Sequence, residues 1–171
     1  MKEDVTVDRI KSAAVILDIE GSDAVMGRAK NGLEARLRDA RALSLVRTAE
    51  EAAELISDGM TVGVSGFTPS GYPKAVPLAL AERGKRGEKI KIDVYSGASV
   101  GPEIDTALTE AGMIRRRLPY HTNAAIRDKI NEGEIDYVDM HLSQSTQYVN
   151  YGVLNKIDVA IVEGLAITEN V

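Results

Sequence analysis

The sequence predicts an α/β fold with an open, mostly parallel sheet and helices on both faces. From Thr48 onward, short apolar segments alternate with segments of helical length, which is typical of βαβ units. The segment from Ile157 to Val162 is almost wholly apolar, as in a strand buried on both faces. Two other apolar segments, Thr61 to Val64 and Lys89 to Tyr95, lead directly into loops of small residues. Because ligands of parallel sheets bind beyond the carboxyl ends of the strands, these loops predict one shared site.

Length and composition exclude several classes of protein. The 171 residues suffice for one core and are too few for two ordinary domains. A net charge of −5 gives no general attraction for nucleic acid. The chain contains no long apolar run and its first residues are rich in charge, so neither a membrane span nor a signal peptide is expected. Without cysteine there is no disulfide, thiolate metal site or cysteine nucleophile. We expect a cytoplasmic protein.

Residues 1–46 are interpreted as an N-terminal helical extension, and residues 47–171 as the main α/β domain. The apolar run from Ala13 to Ile19 fits either a strand or the middle of a helix. The segment from Glu34 to Leu45 has a helical pattern, with leucines on one face and arginines on the other. The arginines suit anion binding, but an exposed helix face is the favoured interpretation.

The first unit of the main domain has clear local signals. Thr48 and Glu51 form a capping box, which predicts a helix from about Ala49 to Ser57 that ends before a left-handed Gly59. The strand from Thr61 to Val64 follows. Pro73 suits the first position of the next helix, which is predicted to run to about Arg83.

The second unit repeats this order, with a strand from Lys89 to Tyr95, a small-residue loop and a helix from Pro102 to about Gly112. The basic run Arg115–Arg117 is interpreted as an exposed, solvated face. The remaining elements are predicted as a helix, a short strand, a helix and a buried strand, at Thr122–Asn131, Tyr137–Met140, Gln144–Tyr151 and Ile157–Val162.

The candidate site combines a first loop, Ser65–Tyr72, with a second loop, Gly97–Gly101. The first loop matches neither the Walker A pattern nor GxGxxG, so standard ATP or NAD binding is not expected. It offers backbone donors, two hydroxyls and the single phenylalanine of the chain, for which a pocket wall and a core position are equally favoured. The candidate substrate-binding residues are Ser65, Gly66, Phe67, Thr68, Pro69, Gly97, Ala98 and Ser99.

Four other polar residues are less favoured as functional residues. Glu163 comes at the carboxyl end of the last strand, where burial tends to raise a carboxyl pKa, but a hydrogen-bonded structural carboxylate is favoured. Glu103 lies in the first turn of a helix, where its charge is favoured without a catalytic role. His121 and His141 have no visible partner and are interpreted as structural. We expect no metal site.

Three long segments together resemble the acetyl-CoA hydrolase/transferase family, of the succinyl-CoA:acetate CoA-transferase type among class I CoA-transferases. They are GMTVGVSGFTPSGYPKAVPLALAER (59–83), YSGASVGPEIDTALTEAGMIRRRLPY (95–120) and LNKIDVAIVEGLAITE (154–169). The resemblance covers residues 47–171 without a large gap and implies a three-layer α/β domain. Residues 1–43 match poorly.

The resemblance implies transfer of CoA between carboxylic acids through a glutamate nucleophile, with the CoA thioester as substrate and no tightly bound cofactor. Such chemistry needs a site sheltered from water and backbone donors for an oxyanion. Family members have two domains, and the nucleophile lies in the second. Nothing here matches its motif, so it is expected beyond Val171, and this chain alone is expected to be inactive.

Three functions remain open at this point. The first is the acyl- or carboxylate-side domain of a CoA-transferase that depends on the missing C-terminal domain. The second is an acetyl-CoA hydrolase of the same architecture, in which water resolves the intermediate. The third is a stand-alone, non-catalytic domain for small-anion binding or assembly. The expected partners are acyl-CoA, a small carboxylic acid and further copies of the chain in a homo-oligomer, because an uncovered apolar face favours self-association.

Overall fold

A computed structural model describes residues 14–18, for which only the backbone is considered, and residues 46–164. Within these ranges, all six strands are parallel and form one sheet in the order β1-β6-β2-β3-β4-β5. The strands are β1 (Ala14–Asp18), β2 (Thr61–Val64), β3 (Ile92–Ser96), β4 (Ile114–Leu118), β5 (Asp136–Tyr137) and β6 (Val159–Glu163). The predicted parallel α/β class is confirmed.

Helices connect these strands along the chain. The helices are α1 (Ala49–Ala53), α2 (Ala75–Lys85), α3 (Pro102–Asp105), α4 (Ala107–Glu110), α5 (Ala124–Asn131) and α6 (Leu142–Asn150). Contacts run in series from α1 to α2, from α2 to α4 and from α4 to α5, so these helices form one layer. Their buried residues join those of the sheet in a single core, which includes Ile56, Val62, Leu80, Ile92, Ile104, Ile126 and Ile161.

The strand order places a topological switch beside β2. From β2 the chain builds outward through β3 and β4 to β5, and then returns to lay β6 on the opposite side of β2. Val64 at the end of β2 lies opposite Ser96 of β3 and Ile161 of β6. The carboxyl ends of three strands therefore meet at one edge, which is where ligands of open α/β sheets bind.

Local signals placed several elements correctly. The capping box forms as predicted: the Glu51 amide donates to Thr48 Oγ1 over 3.2 Å, and the Thr48 amide donates to Glu51 Oε2 over 2.9 Å. Helix α1 is shorter than predicted and ends at Ala53, with turns continuing toward Gly59, whose φ is +81°. Pro102 occupies the start of α3, as expected, although the predicted single helix divides into α3 and α4 at Thr106.

Two further predictions were wrong. Helix α2 does not begin at Pro73, because its first hydrogen bond runs from the Leu78 amide to the Lys74 carbonyl, which places the start at Ala75. The basic run was not recognised as a strand, yet Arg115–Arg117 lies in the middle of β4. A bulge in β4 explains the error. The register against β3 shifts between the pairs Ile92–Ile114 and Asp93–Arg116, so Arg115 and Arg116 both reach Asp93, whereas the Arg117 side chain turns to the opposite face and is fully buried.

The N-terminal part is described only at β1. The apolar run from Ala13 to Ile19, for which strand and helix were both open, contains this strand, and β1 pairs with β6 from Ala14–Val159 to Asp18–Glu163. The predicted helix at Glu34–Leu45 lies outside the described residues. Among the described helices, none is both long enough and apolar enough to cross a membrane.

Candidate functional site

The first and second loops meet at the carboxyl edge of the sheet, beside the switch between β2 and β6. A Cβ atom on Gly97 would lie 3.2 Å from the Gly66 carbonyl oxygen, so the two loops approach each other closely. Gly66 itself has a φ of +120°, a conformation that residues with side chains rarely adopt. The structure therefore brings together the two loops that the sequence predicted to share a site.

Ser65 connects the start of the first loop to β6. Its amide donates to the Ile161 carbonyl over 3.0 Å, and its Oγ accepts the Glu163 amide over 2.9 Å. The hydroxyl donates in turn to the Gly71 carbonyl over 2.7 Å, which closes the loop. The Ser65 hydroxyl proton is thus directed into the loop, and its oxygen helps to hold the end of β6.

Glu163 is the last residue of β6 and forms an ion pair with Lys74. Lys74 Nζ also donates to the Tyr72 carbonyl over 3.2 Å. Both side chains of the pair are largely shielded, with about 18% of Glu163 and 24% of Lys74 exposed. The favoured structural interpretation of Glu163 agrees with this geometry, because the carboxylate neutralises a lysine and fixes the start of α2.

The tip of the first loop points into solvent. Phe67 is 64% exposed, so the alternative of a core position is wrong. Its amide donates to the Ser70 carbonyl over 3.0 Å, which makes the tip a closed turn. Thr68 and Pro69 are also exposed. An exposed aromatic ring at the ligand-binding edge of a parallel sheet provides an apolar wall for a bound group.

Thr68 holds a strained backbone conformation at this tip. It is the only non-glycine residue among the described ones with a positive φ, at +57°, and its Oγ1 donates to the Phe67 carbonyl over 2.6 Å. A β-branched residue is disfavoured in the left-handed region, and such strain is concentrated at functional sites. The strain supports a ligand-binding role for the tip.

Thr68→Gly is expected to raise the free energy of unfolding by about 1 kcal/mol, because glycine adopts a positive φ without steric cost and the strain is relieved. Urea denaturation followed by circular dichroism measures the change. Ser70→Gly is the matched control, since Ser70 is equally exposed on the same turn and has no positive φ. Equal effects of the two changes would show that Thr68 carries no strain.

The second loop turns its side chains inward. Ala98 and Ser99 are buried, and Ser99 Oγ lies 2.8 Å from Thr122 Oγ1. Gly97 alone of the three candidates in this loop is exposed. Gly97 therefore presents its backbone to solvent at this edge, while Ala98 and Ser99 support the loop from beneath.

A buried ion pair, which the sequence analysis missed, anchors this loop. Arg117 Nε donates to Asp105 Oδ1 over 3.0 Å, and both side chains are fully buried. Arg117 Nη2 donates to the Ala98 carbonyl over 3.2 Å, and Nη1 donates to the Leu118 carbonyl. The guanidinium thus links β4, α3 and the second loop. The only available signal was the apolar residue on each side of the basic run, Ile114 and Leu118, in a strand that was not predicted from the sequence.

Both histidines have structural surroundings. The His121 ring packs edge-on against Tyr137 with centroids 5.1 Å apart. Burial lowers the pKa of His121, and the nearby Arg117 charge lowers it further. His141 Nδ1 accepts the Ser143 amide over 3.3 Å and so caps α6. Within residues 46–164, no group of histidine and carboxylate side chains is arranged to hold a metal ion.

The fold is a parallel α/β domain whose two loops meet at the carboxyl edge of the sheet. Residues 34–170 match the family described as "Acetyl-CoA hydrolase/transferase N-terminal domain". The chain therefore belongs to the acetyl-CoA hydrolase/transferase family.

Relatives in this family have different named activities. The chain is 50% identical to the succinyl-CoA:acetate CoA-transferase of Clostridium kluyveri over 137 residues, covering 80% of this chain and 26% of that protein. It is 38% identical to the acetyl-CoA hydrolase of Saccharomyces cerevisiae over 150 residues, covering 82% of this chain and 28% of that protein. The chain thus spans about a quarter of the length of these relatives.

A solved structure supports the same fold. RipA from Yersinia pestis superposes with a TM-score of 0.52 at 25% sequence identity, covering 68% of this chain and 28% of RipA. The superposed part is again about a quarter of a longer chain.

Proposed function

We propose that this chain is the N-terminal domain of an acyl-CoA:carboxylate CoA-transferase, with succinyl-CoA and acetate as the leading substrate pair, and that its two loops form part of the acyl and carboxylate pocket. The observation that carries this proposal is the close approach of the two loops at the switch between β2 and β6. This edge lies within the stretch that matches the family, and the transferase of Clostridium kluyveri is 50% identical to the chain over 137 residues.

The exposed parts of the site suit binding better than bond breaking. The substrate-facing groups are the Phe67 ring, the tip at Thr68 and Pro69, and the backbones of Gly66 and Gly97. Backbone amides stabilise a carboxylate or a developing oxyanion, and an aromatic wall keeps water away from a reactive thioester. Ser65, Ala98 and Ser99 hold these groups in place from the sheet side. The CoA thioester is a substrate here, and no tightly bound cofactor is proposed.

Catalysis is proposed to need residues outside this chain. The Glu163 carboxylate at the end of β6 is paired with Lys74, and the Glu103 carboxylate accepts a hydrogen bond from the Tyr72 hydroxyl. An ion-paired carboxylate is held by its partner and is a poor nucleophile. The chain spans about a quarter of its relatives' length, which supports a nucleophile supplied by a further domain. The isolated 171-residue chain is therefore expected to be inactive.

Acetyl-CoA hydrolysis is the second candidate, because several relatives bear that name. The first and second loops would line the pocket in both reactions. The two reactions differ in whether a carboxylate or water resolves the enzyme-bound intermediate, and a more tightly closed pocket favours the carboxylate. A homo-oligomer is proposed for either enzyme.

The test uses the protein isolated from its native cells, with its mass measured before assay. Incubation with succinyl-CoA and labelled acetate is expected to give labelled acetyl-CoA faster than free CoA is released. Phe67→Ala is expected to lower kcat/KM about tenfold, since it removes one wall of the pocket. Leu78→Ala is the matched control, because Leu78 is also an exposed apolar residue but lies on α2.

Each outcome discriminates among the candidates. Release of free CoA without acetyl transfer would replace the transferase by the hydrolase. Binding of acetate without any turnover, from a protein with a mass near 18.4 kDa, would favour the non-catalytic binding domain. Turnover by the isolated chain would contradict its expected inactivity, and equal effects of the Phe67 and Leu78 changes would contradict the proposed wall.

A further inference from the structure

The Tyr72 side chain crosses from the end of the first loop to the second loop. Its hydroxyl donates to Glu103 Oε2 over 2.7 Å, and only 6% of the residue is exposed. The ring lies directly against Gly101, since a Cβ atom at Gly101 would fall 2.0 Å from Tyr72 Cζ. Gly101 therefore leaves the space that the ring fills.

Tyr72 is also connected to the end of β6. The Tyr72 carbonyl accepts Lys74 Nζ, which lies 4.6 Å from the centre of the Tyr72 ring and pairs with Glu163 at the end of β6. A continuous set of contacts thus runs from β6 through Tyr72 to Glu103 in the first turn of α3. Tyr72 therefore connects the first loop both to the end of β6, through Lys74, and to the first turn of α3, through Glu103.

We propose that Tyr72 is a positioning residue that couples the two loops, so that their backbone groups hold one fixed geometry toward the substrate. The inference deepens the proposed function and depends on it for its catalytic consequence. Tyr72 acts through the loops, because its ring is buried between them and its hydroxyl is directed to Glu103. A site for a reactive intermediate needs such support, since small displacements of its binding groups lower the rate strongly.

The hydroxyl group makes the coupling testable. Tyr72→Phe keeps the ring against Gly101 but removes the donor, which leaves the part-buried Glu103 carboxylate without that hydrogen bond. Glu103→Gln retains an oxygen that accepts the same bond, whereas Glu103→Ala does not. If this hydrogen bond couples the two loops, the coupling is expected to be lost in Tyr72→Phe and in Glu103→Ala and to be retained in Glu103→Gln.

Hydrogen exchange of the 171-residue chain, read by mass spectrometry on short peptides, measures the coupling without any need for catalysis. In Tyr72→Phe, amides of both loops are expected to exchange about five- to tenfold faster, while those of β2 and β3 are unchanged. Tyr151→Phe is the matched control, because Tyr151 is 78% exposed and distant from both loops in sequence. In the double variant Tyr72→Phe/Glu103→Ala, the loop amides are expected to exchange no faster than in either single variant.

Faster exchange confined to the first loop, or faster exchange throughout the sheet, would overturn the proposal. The proposal would also be overturned if Glu103→Gln accelerated the exchange of the loop amides as much as Glu103→Ala does. In the protein from native cells, Tyr72→Phe is expected to lower kcat about tenfold with a smaller change in KM. Coupled loops in a protein without transferase activity would refute the proposed function and leave the coupling intact. If the native protein has normal transferase activity but hydrogen exchange shows that the two loops are not coupled, only the inference about Tyr72 is refuted.

Discussion

Arg117→Met is expected to lower the free energy of unfolding by about 3–5 kcal/mol, because it leaves the Asp105 carboxylate buried without its cation. Both side chains are fully buried, and the guanidinium also satisfies the Ala98 and Leu118 carbonyls. The loss is large against the usual stability of a domain of this size. Urea denaturation of the 171-residue chain, followed by circular dichroism, measures it.

Two further variants separate burial from charge. Arg116→Met removes the neighbouring arginine of the same strand, which is partly exposed and lies 3.4 Å from the exposed Asp136 and 3.8 Å from the buried Asp93. Because Asp93 keeps its closer partner, Arg115 at 2.8 Å, a loss below about 1 kcal/mol is expected. The double change Arg117→Met/Asp105→Leu replaces both charges with apolar groups and is expected to recover much of the stability. A loss in Arg117→Met as small as that in Arg116→Met would show that the pair does not anchor the second loop.

Gly66→Ala is expected to lower the free energy of unfolding by about 3–5 kcal/mol, because strain and overpacking act together. The φ of +120° is nearly closed to alanine, and the new Cβ would lie 2.6 Å from Tyr72 Cβ and 3.0 Å from Tyr72 Cα. The contact with Tyr72 Cα involves the main chain, so no change of side-chain rotamer relieves it. The first loop must move, and thermal unfolding by calorimetry measures the cost.

Gly71→Ala is the control for conformation alone. Its φ is +66°, but a Cβ there meets nothing within 4 Å. The expected loss is about 1–2 kcal/mol, the usual cost of a left-handed residue with a side chain. If the two changes destabilised the protein equally, the close approach of Gly66 and Tyr72 would not matter, and the first loop would be looser than the structure indicates.

Much of the fold could be predicted because its signals are local. The capping box at Thr48 and Glu51, the proline at the start of α3 and the apolar strand β2 each depend on a few adjacent residues. The repeated order of strand, small-residue loop and helix was sufficient to predict a parallel sheet. Because strands of one direction share an edge, the meeting of the two loops followed from the order alone.

The sequence predicted the roles of individual candidate residues less well than it predicted the fold. Phe67 was left between core and pocket, and the structure places it in solvent at the loop tip. Ala98 and Ser99 were predicted to face a substrate, and the structure buries both side chains beneath the loop. A small residue near a strand end suits either position, and the choice depends on what packs below it.

The sequence by itself determined the class of fold, the edge at which the two loops meet and the family to which the chain belongs. Only the tertiary structure decided that Arg117 is buried against Asp105, that Glu163 pairs with Lys74 and that Tyr72 joins the two loops. Glu163 is 89 residues from Lys74, and Glu103 is 31 residues from Tyr72. Such contacts have no local signature, because a charged or aromatic residue gains its partner only when the sheet order brings distant strand ends to one edge.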